Sequence, residues 1–304
     1  MSHEVNKNKE LEKTIMAMVK IVTDSNSGIT QAEAERLGIS VIPMPFVIDG
    51  EQYFEDIDLT QAQFYEYIAK DASVSTSQPS TASVTEVWER LLQEGCDVVH
   101  IPMSSALSES CHTAQQLAKE YGGRVQVVDN RRISISLKHS VFDALSLAER
   151  GMSAKEIARK LEASAADSSI YLTLDTLKYL KKGGRLTPAA ALIGTILRVK
   201  PVLQIQGGKL DAFKKVQTLK QAKQAMTDAL KSDLATRFAD FAAAGQMRIC
   251  LAHTAREEEI KAFEAELAAV FPNIPVSFCD PLSLSIACHV GPGVIACSVT
   301  RALN

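Results

Sequence analysis

Hydroxyl side chains, one histidine and one arginine are the residues of this sequence whose types and spacing best fit a binding site. Hydroxyl groups and a neutral imidazole donate and accept hydrogen bonds, and a guanidinium group carries a permanent positive charge. Together such groups can neutralise and orient a carboxylate without reacting with it. The candidates are Thr76 and Ser77 in one segment, Ser104, Ser105 and Ser108 in a second, Arg185 in a third and His289 near the end of the chain.

The first of these segments, residues 74–80, has the sequence VSTSQPS and offers little apolar side chain to a core. Pro79 lacks an amide hydrogen and suits the first turn of a helix, and residues 83–86 have the spacing of a capping box. The segment therefore predicts a helix start whose free amides lie near the hydroxyls of Thr76 and Ser77. Two interpretations stay open, because these hydroxyls either bind an anion or carboxyl group or only cap the helix.

His289 precedes a Gly-Pro-Gly turn at residues 291–293, in an otherwise apolar stretch that is expected to belong to the last strand region. A lone histidine in such surroundings is more often a hydrogen-bonded structural residue than a ligand-binding one. Glycines on both sides of a proline allow close approach of the backbone, which is useful where a loop closes over a ligand. Gly291 is therefore a further candidate, and both interpretations of His289 stay open.

Motifs of several common enzyme sites are absent from the sequence. It contains no Gly-x-Ser-x-Gly elbow, no Gly-x-x-x-x-Gly-Lys phosphate loop, no Gly-x-Gly-x-x-Gly fingerprint and no His-Glu-x-x-His pair. A hydrolase or acyltransferase that uses a serine with His289 stays as an alternative, although no third residue is identifiable. The pattern favours binding over catalysis.

The composition describes a globular chain of 304 residues, long enough for two domains, with 46% hydrophobic and 23% charged residues. The net charge of -3 gives no electrostatic reason to expect nucleic acid or an anionic membrane surface. A polar N-terminus and the absence of a run of roughly 20 apolar residues predict a cytoplasmic protein without stable membrane insertion. Six cysteines without a Cys-x-x-Cys pair indicate neither a zinc site nor a disulfide framework.

Strands, polar loops and helices alternate regularly from residue 19 to residue 149. Residues 19–23 and 97–103 are typical of buried parallel strands, and each run leads into a polar loop, where open α/β sheets place their ligands. Residues 39–48 are expected to form an edge strand or an irregular segment, because Pro43 and Pro45 cannot donate to a sheet.

The later part of the chain is less regular. Residues 201–206 and 209–216 flank Gly207-Gly208 and predict a hairpin with positive φ at both glycines. A hairpin among α/β elements indicates a mixed sheet. The predicted fold class is therefore α/β, with an N-terminal arm (1–18), a parallel-sheet N-terminal domain (19–165) and a mixed-sheet C-terminal domain (166–304).

Five segments, in order along the chain, resemble motifs of the DegV family, which includes the fatty-acid-binding (FakB) subunits of bacterial fatty acid kinase. The resemblance extends from about residue 19 to the C-terminus, and five motifs in register make it specific. The segments are KIVTDS (20–25), TSQPS (76–80), IPMSSALS (101–108), LKKGGR (180–185) and HVGPG (289–293).

The resemblance implies two α/β domains with a lipid tunnel and a head-group site near their interface. It implies a bound long-chain fatty acid, such as palmitate, stearate or oleate, and no cofactor. Carried over motif by motif, Thr76 and Ser108 would hydrogen-bond the carboxyl group and His289 would lie close to it. Arg185 would serve the head-group end or kinase docking. A separate ATP-binding kinase subunit would phosphorylate the bound acid to an acyl phosphate, so this chain would be a carrier and not an enzyme.

One departure from the family pattern lies at residues 107–110, where LSES stands in place of the usual Leu-Ser-Gly-Thr. Glu109 is expected to point to solvent from a first helical turn, where its charge suits the helix dipole. If it pointed inward, it would repel a carboxylate head group. A regulatory module that senses fatty acid without a kinase is the main alternative to the carrier.

Overall fold

The computed structural model describes residues 18–193 and 199–303, in which strands and helices alternate. The strands are β1 (Val19–Asp24), β2 (Ser40–Ile42), β3 (Pro45–Ile48), β4 (Glu51–Phe54), β5 (Val74–Thr76), β6 (Asp97–Ile101), β7 (Val125–Val127), β8 (Ser168–Thr173), β9 (Lys200–Ile205), β10 (Asp211–Val216), β11 (Met247–His253), β12 (Val276–Pro281) and β13 (Ile295–Arg301). The helices are α1 (Gln31–Leu37), α2 (Gln61–Ala69), α3 (Thr81–Gln93), α4 (Ser110–Ala118), α5 (Ser134–Glu149), α6 (Ala154–Ala163), α7 (Lys178–Gly183), α8 (Pro188–Ile193), α9 (Leu219–Ala235), α10 (Ala239–Ala243), α11 (Glu257–Val270) and α12 (Leu284–Val290).

A parallel sheet with the order β2-β1-β6-β7 forms the first layer. Successive side chains of β1 and β6 point to opposite faces, so that Ile21 and Val99 join one apolar cluster while Val22 and Val98 join another. Both faces are therefore buried, as is typical of parallel sheets. The ends of β1 and β6 deliver two polar loops to the same edge of the sheet.

A mixed sheet with the order β10-β9-β8-β13-β11-β12 forms the second layer. Its neighbouring strands are antiparallel except for β11 and β12, which are parallel. Helices α9 and α11 cover one face through an apolar cluster that includes Met226, Leu230 and Phe263. The predicted α/β class, with a parallel N-terminal sheet and a mixed C-terminal sheet, is confirmed.

The hairpin of β9 and β10 is present, but its turn differs from the prediction. Gly207 has a φ of 78°, whereas Gly208 is not among the residues with positive φ. Pairing begins at Asp211 opposite Gln204, so the connection is longer than two residues. A turn of two residues with positive φ at both positions is therefore wrong for this hairpin.

A third, antiparallel sheet of order β4-β3-β5 was not predicted. Its central strand is β3, which pairs with β4 on one side and β5 on the other, so this part of residues 39–48 is not an edge. Pro45 is tolerated because it opens the strand. Phe46 and Phe64 of α2 meet edge to face, with ring centroids 5.8 Å apart, and form the core beneath this sheet. We call β3, β4, β5 and α2 the small-sheet unit.

Two local predictions along the chain are corrected by the structure. Helix α3 is capped by Ser80, whose hydroxyl accepts from the Ser83 amide at 3.1 Å, so the helix begins three residues before the predicted capping box. His289 lies in the last turn of helix α12 and not in a strand region, since the last strand begins only at Ile295.

Helix α5 lies between the two larger sheets and joins their cores. Its buried residues include Leu137 and Val141, which belong to the same apolar cluster as Ile21 of β1 and Ala252 of β11. Lys138 adds a polar link, with ion pairs to Glu33 of α1 at 3.0 Å and to Asp280 of β12 at 2.8 Å. The two sheets therefore share one interior, and the division at residues 165 and 166 stays a prediction.

Among the described helices, none is both long enough and apolar enough to cross a membrane.

Candidate functional site

A cavity of about 250 Å³ lies between the two larger sheets and the small-sheet unit. This volume is close to the lower bound of roughly 300 Å³ for small-molecule sites. Most of its lining is apolar and comes from both halves of the chain, including Met103, Ile135, Leu172, Ile205, Leu282 and Ala296. Such a lining suits an apolar ligand, because burying hydrocarbon there releases water from its surface.

Thr76 and His289 meet at this cavity although 213 positions separate them in the sequence. Thr76 ends strand β5, and its Oγ1 lies 2.8 Å from Nε2 of His289 on helix α12. Two of the predicted carboxylate-binding residues are thus in hydrogen-bonding contact. Either atom can be the donor, because the role of Nε2 depends on the histidine tautomer.

Burial and the nearby Arg185 guanidinium lower the pKa of His289 to about 4. The imidazole is therefore neutral at physiological pH, with one protonated and one unprotonated ring nitrogen. If Nε2 carries the proton, it donates to Thr76, and the threonine hydroxyl hydrogen is free to point into the cavity. The pair can then donate a hydrogen bond to an acceptor such as a carboxylate.

Arg185 follows the Gly183-Gly184 turn after helix α7 and also lines the cavity. Its Nε donates to the carbonyl of Leu107 at 3.3 Å, and its Nη1 donates to the carbonyl of Gly183. Gly183 lies against the His289 ring, and Leu107 precedes Ser108. Arg185 is thus connected on one side to the Thr76–His289 pair and on the other to the loop that carries Ser108.

The loop after β6 places Ser108 at the cavity, and hydrogen bonds to Ser104 stabilise the turn within this loop. The Ser104 carbonyl accepts from the amides of Leu107 and Ser108, at 3.0 and 3.1 Å, and its buried hydroxyl accepts from Ala106. Ser108 Oγ donates to Ser110 Oγ at 3.0 Å and accepts from the Ser110 amide. Ser108 lines the cavity, whereas Ser104 does not.

The other predicted candidates fall into two groups. Ser77 is exposed and lines the cavity next to Thr76. Ser105 is exposed, bonds Asp129 at 2.5 Å and is not a lining residue. Gly291 is also not a lining residue; it has a φ of 73° and packs its backbone against the ring of Tyr179.

Glu109 is exposed, as expected, and it is also among the residues that line the cavity. It occupies the N-cap position of helix α4 without a side-chain capping bond. Its carboxylate therefore lies at the solvent-facing part of the cavity wall, near Ser108.

Four polar lining residues were missed among the sequence candidates, namely Asn26, Gln78, Ser134 and Ser285. Asn26 and Ser285 are both buried and form a hydrogen bond with each other, in which Ser285 Oγ donates to Asn26 Oδ1 at 2.6 Å. The neighbouring Asp24 accepts from the amides of Asn26 and Met103, and burial raises its pKa to about 6. The polar loop after β1 was a usable signal for Asn26, because such loops hold ligands in α/β sheets. Ser285 had no comparable signal.

A serine hydrolase receives no support from this geometry. The hydroxyl at His289 Nε2 belongs to Thr76, and within residues 18–193 and 199–303 no carboxylate bonds the other ring nitrogen. An activated serine needs a bonded base that is oriented by a third group. In the same described ranges, no group of three or more His, Cys, Asp and Glu residues is placed to hold a metal ion.

Comparison with known proteins adds evidence for the family. The family model described as an uncharacterised protein of the DegV family matches residues 18–302. A DegV domain-containing protein of Deinococcus radiodurans is 31% identical over 283 residues, which cover 91% of this chain and 96% of the relative.

Solved structures agree with this assignment. A fatty-acid-binding DegV family protein from Thermus thermophilus superimposes with a TM-score of 0.82 at 28% identity, over 93% of this chain and 99% of the other. DegV of Bacillus subtilis, described as a fatty acid binding protein, gives a TM-score of 0.81 at 28% identity, over 94% and 99%. The match of the model and of these relatives along almost the whole chain shows that this protein belongs to the DegV family.

Proposed function

We propose that this protein binds one long-chain fatty acid, such as palmitate, stearate or oleate, with the tail in the cavity and the carboxylate at Thr76, Ser108 and His289. The observation that carries this proposal is the contact of Thr76 with His289 at the wall of a mostly apolar cavity. The fatty-acid-binding relatives from Thermus thermophilus and Bacillus subtilis support the ligand class.

The tail supplies most of the binding free energy in this proposal. Burial of about 15 methylene groups at about 0.8 kcal/mol each gives an upper bound near 12 kcal/mol before ordering costs are subtracted. A hydrogen bond to a charged group contributes about 1.5 to 3 kcal/mol. The head-group residues therefore mainly decide which end of the ligand faces the opening.

The head-group chemistry follows from the neutral state of His289. In the neutral tautomer that carries its proton on Nε2, His289 donates to Thr76 Oγ1, which leaves the threonine hydroxyl to donate to a carboxylate oxygen. Ser108 Oγ, now bonded to Ser110, provides a second donor by rotation of its hydroxyl. The positive charge of Arg185 attracts the carboxylate and also disfavours a second positive charge on His289.

We infer further that the bound carboxyl group is presented to a separate fatty acid kinase subunit, which forms the acyl phosphate from ATP. Exposed residues beside the head-group residues support this step: Ser77, Gln78 and Glu109 line the cavity and reach solvent. A partner enzyme can approach a carboxylate held at such an opening. The resemblance to the FakB subunits supports the choice of a fatty acid kinase as the partner.

Lipid analysis tests the binding proposal. Organic extraction of the purified protein and mass spectrometry should release about one long-chain fatty acid per chain. The absence of extracted lipid, together with no uptake of added palmitate, would contradict the proposal.

Reconstitution tests the carrier step separately. The palmitate-loaded protein, a bacterial fatty acid kinase subunit and ATP should produce palmitoyl phosphate, which hydroxylamine traps as the hydroxamate. If palmitate binds but no acyl phosphate forms with the kinase, the chain is a fatty acid binder of another kind, such as a sensor.

A further inference from the structure

Helix α12 packs one face against the apolar core of the small-sheet unit and lines the cavity with the other. Leu284, Ala287 and Cys288 pack into the apolar cluster of Phe46 and Phe64. Ser285, Ile286, His289 and Val290 line the cavity. The spacing within each set places its members on one side of a helix.

The start of this helix is held by a carboxylate from far away in the sequence. Glu55 follows β4, and its Oε2 accepts from the amide of Leu284, the first residue of α12, at 2.7 Å. The N-cap residue Ser283 makes no side-chain capping bond of its own. Glu55 thus satisfies one of the free amides that every helix start exposes.

Gln61 strengthens this attachment from the first turn of α2. Its Nε2 donates to the other carboxylate oxygen of Glu55 at 2.8 Å and to the carbonyl of Leu282 at 2.9 Å. The segment that enters α12 is therefore held by two hydrogen bonds, one to the carbonyl of Leu282 and one from the amide of Leu284. Gln61 belongs to the small-sheet unit, and Glu55 directly follows its strand β4.

The opposite end of α12 is held by the same unit, through Thr76 of β5 and His289. Since α12 is seven residues long, its two attachments are about one and a half turns apart. A rigid-body shift at Leu284 is carried directly to His289. A hydrogen bond of 2.8 Å is lost when its atoms separate by about 1 Å.

We propose that Glu55 and Gln61 are positioning residues for the head-group site, because they fix helix α12 at the place where His289 meets Thr76. This inference rests on the proposed fatty acid binding and deepens it. It assigns a function to residues that do not line the cavity.

The test compares palmitate with methyl palmitate in a fluorescence displacement assay. Both ligands fill the apolar cavity, whereas only palmitate has the charged head group. Glu55→Ala should weaken palmitate binding about tenfold and methyl palmitate binding less than twofold. Glu55→Gln keeps an acceptor for the Leu284 amide and should stay within about threefold of the unmodified protein.

The matched control is Gln63→Ala, which removes a polar side chain from the same helix as Gln61. Gln63 caps α2 itself by accepting from the Thr60 amide at 2.9 Å, so its loss should leave the palmitate preference unchanged. Gln61→Ala removes one side of the attachment and should reduce the palmitate preference by a smaller factor than Glu55→Ala. It serves as the deciding variant if Glu55→Ala does not fold.

The outcomes separate this inference from the function on which it rests. If the unmodified protein binds neither ligand, the proposed function fails. If it binds palmitate and the Glu55 and Gln61 variants lose both ligands equally, or neither, the positioning role is wrong. A histidine ring spectrum by ¹⁵N NMR adds a readout, because the His289 signals should move in Glu55→Ala and not in Gln63→Ala.

Discussion

Gly183 lies directly against the imidazole of His289. A Cβ at position 183 would overlap Nδ1 and come within 3.1 Å of Cε1. The short helix α7 can therefore end at this histidine only because position 183 has no side chain. The backbone at Gly183 thus helps to fix the orientation of the His289 ring.

Replacement of Gly183 by alanine should push the His289 ring away from Thr76. We expect about tenfold weaker palmitate binding, since the donor to the carboxylate is no longer oriented. Isothermal titration calorimetry measures the affinity. Gly208→Ala is the control, because a Cβ there meets nothing within 4 Å and its φ is not positive. Equal affinities for the two variants would show that the ring position does not matter.

Thr76→Val keeps the shape of the side chain and removes its hydroxyl. We expect a ten- to hundredfold loss of palmitate affinity, which corresponds to a hydrogen bond to a charged group. Thr76→Ser should retain most of the affinity. Ser105→Ala is the control, because that hydroxyl bonds Asp129 and does not line the cavity. Valine at position 76 with unchanged affinity would remove Thr76 from the head-group site.

Asp24 makes the stability of the fold depend on pH. Burial raises its folded-state pKa from 3.8 to about 6, so the folded protein holds this proton more tightly than the unfolded chain. The stability that the protonated Asp24 contributes is fully present below about pH 4 and is lost as the pH rises through about 6. Relative to Asp24→Asn, the unmodified protein should lose about 3 kcal/mol of unfolding free energy between about pH 3 and about pH 7.

Urea unfolding of both proteins at several pH values measures this difference. His100 and His289 change the stability in the opposite direction, so that it rises with pH, because burial lowers their pKa values to about 3 and 4. They are present in both proteins, so the comparison cancels their contribution. A difference between the two proteins that stays constant from pH 4 to pH 7 would show that the Asp24 pKa is not raised.

Two alanines set the depth of the cavity on the mixed sheet. Ala252 of β11 and Ala296 of β13 are directly paired across the sheet, and both line the cavity. Ala252→Leu should therefore shorten the space for a tail. Stearate affinity should fall about fourfold for each methylene group that no longer fits, while laurate affinity changes little. Ala244→Leu, at an exposed position, is the control; a parallel loss of both ligands would contradict this view.

Much of the architecture was predictable because the central parallel strands β1 and β6 are largely buried and rich in β-branched residues. Val19–Asp24 and Asp97–Ile101 place valine or isoleucine on both faces of the sheet, and each run is followed by a polar loop and a helix. This order leaves few alternatives to an α/β sheet. Other signals made Thr76, Ser108 and His289 site candidates, namely the hydroxyl-rich segments, the Gly-Pro-Gly turn and the resemblance to the DegV family. Their role with a carboxylate stays a prediction.

The small-sheet unit was missed, although one of its two strand pairings had a local signal. Strands β3, β4 and β5 are three or four residues long and include Pro45 and Glu51. Asp49-Gly50 between β3 and β4, with positive φ at both residues, is a hairpin signal that was overlooked. Strand β5 has no such signal, because Val74–Thr76 is part of a run dominated by hydroxyl residues. Tertiary packing around Phe46 decides the outcome here.

The helical state of Leu284–Val290 was also hidden from sequence patterns. Its seven residues include Ile286 and Val290, which favour strands, and a helix this short depends on contacts outside itself. Those contacts are Glu55, more than 200 positions earlier, and the apolar face under β3. Ser105 was a site candidate that does not line the cavity, because its hydroxyl turns outward to Asp129. The sequence of a loop does not show which of its hydroxyls point to a cavity.

The 213 positions between Thr76 and His289 have a consequence during synthesis of the protein. Proteins are made from the N-terminus at about 5 to 20 residues per second, and early segments fold first. A ribosome-bound chain that ends before α12 has the threonine but neither the imidazole nor one wall of the cavity. On the proposed function, a fatty acid can therefore be captured only after the ribosome has synthesised Leu284–Val290, and a chain that terminates before this helix cannot hold it.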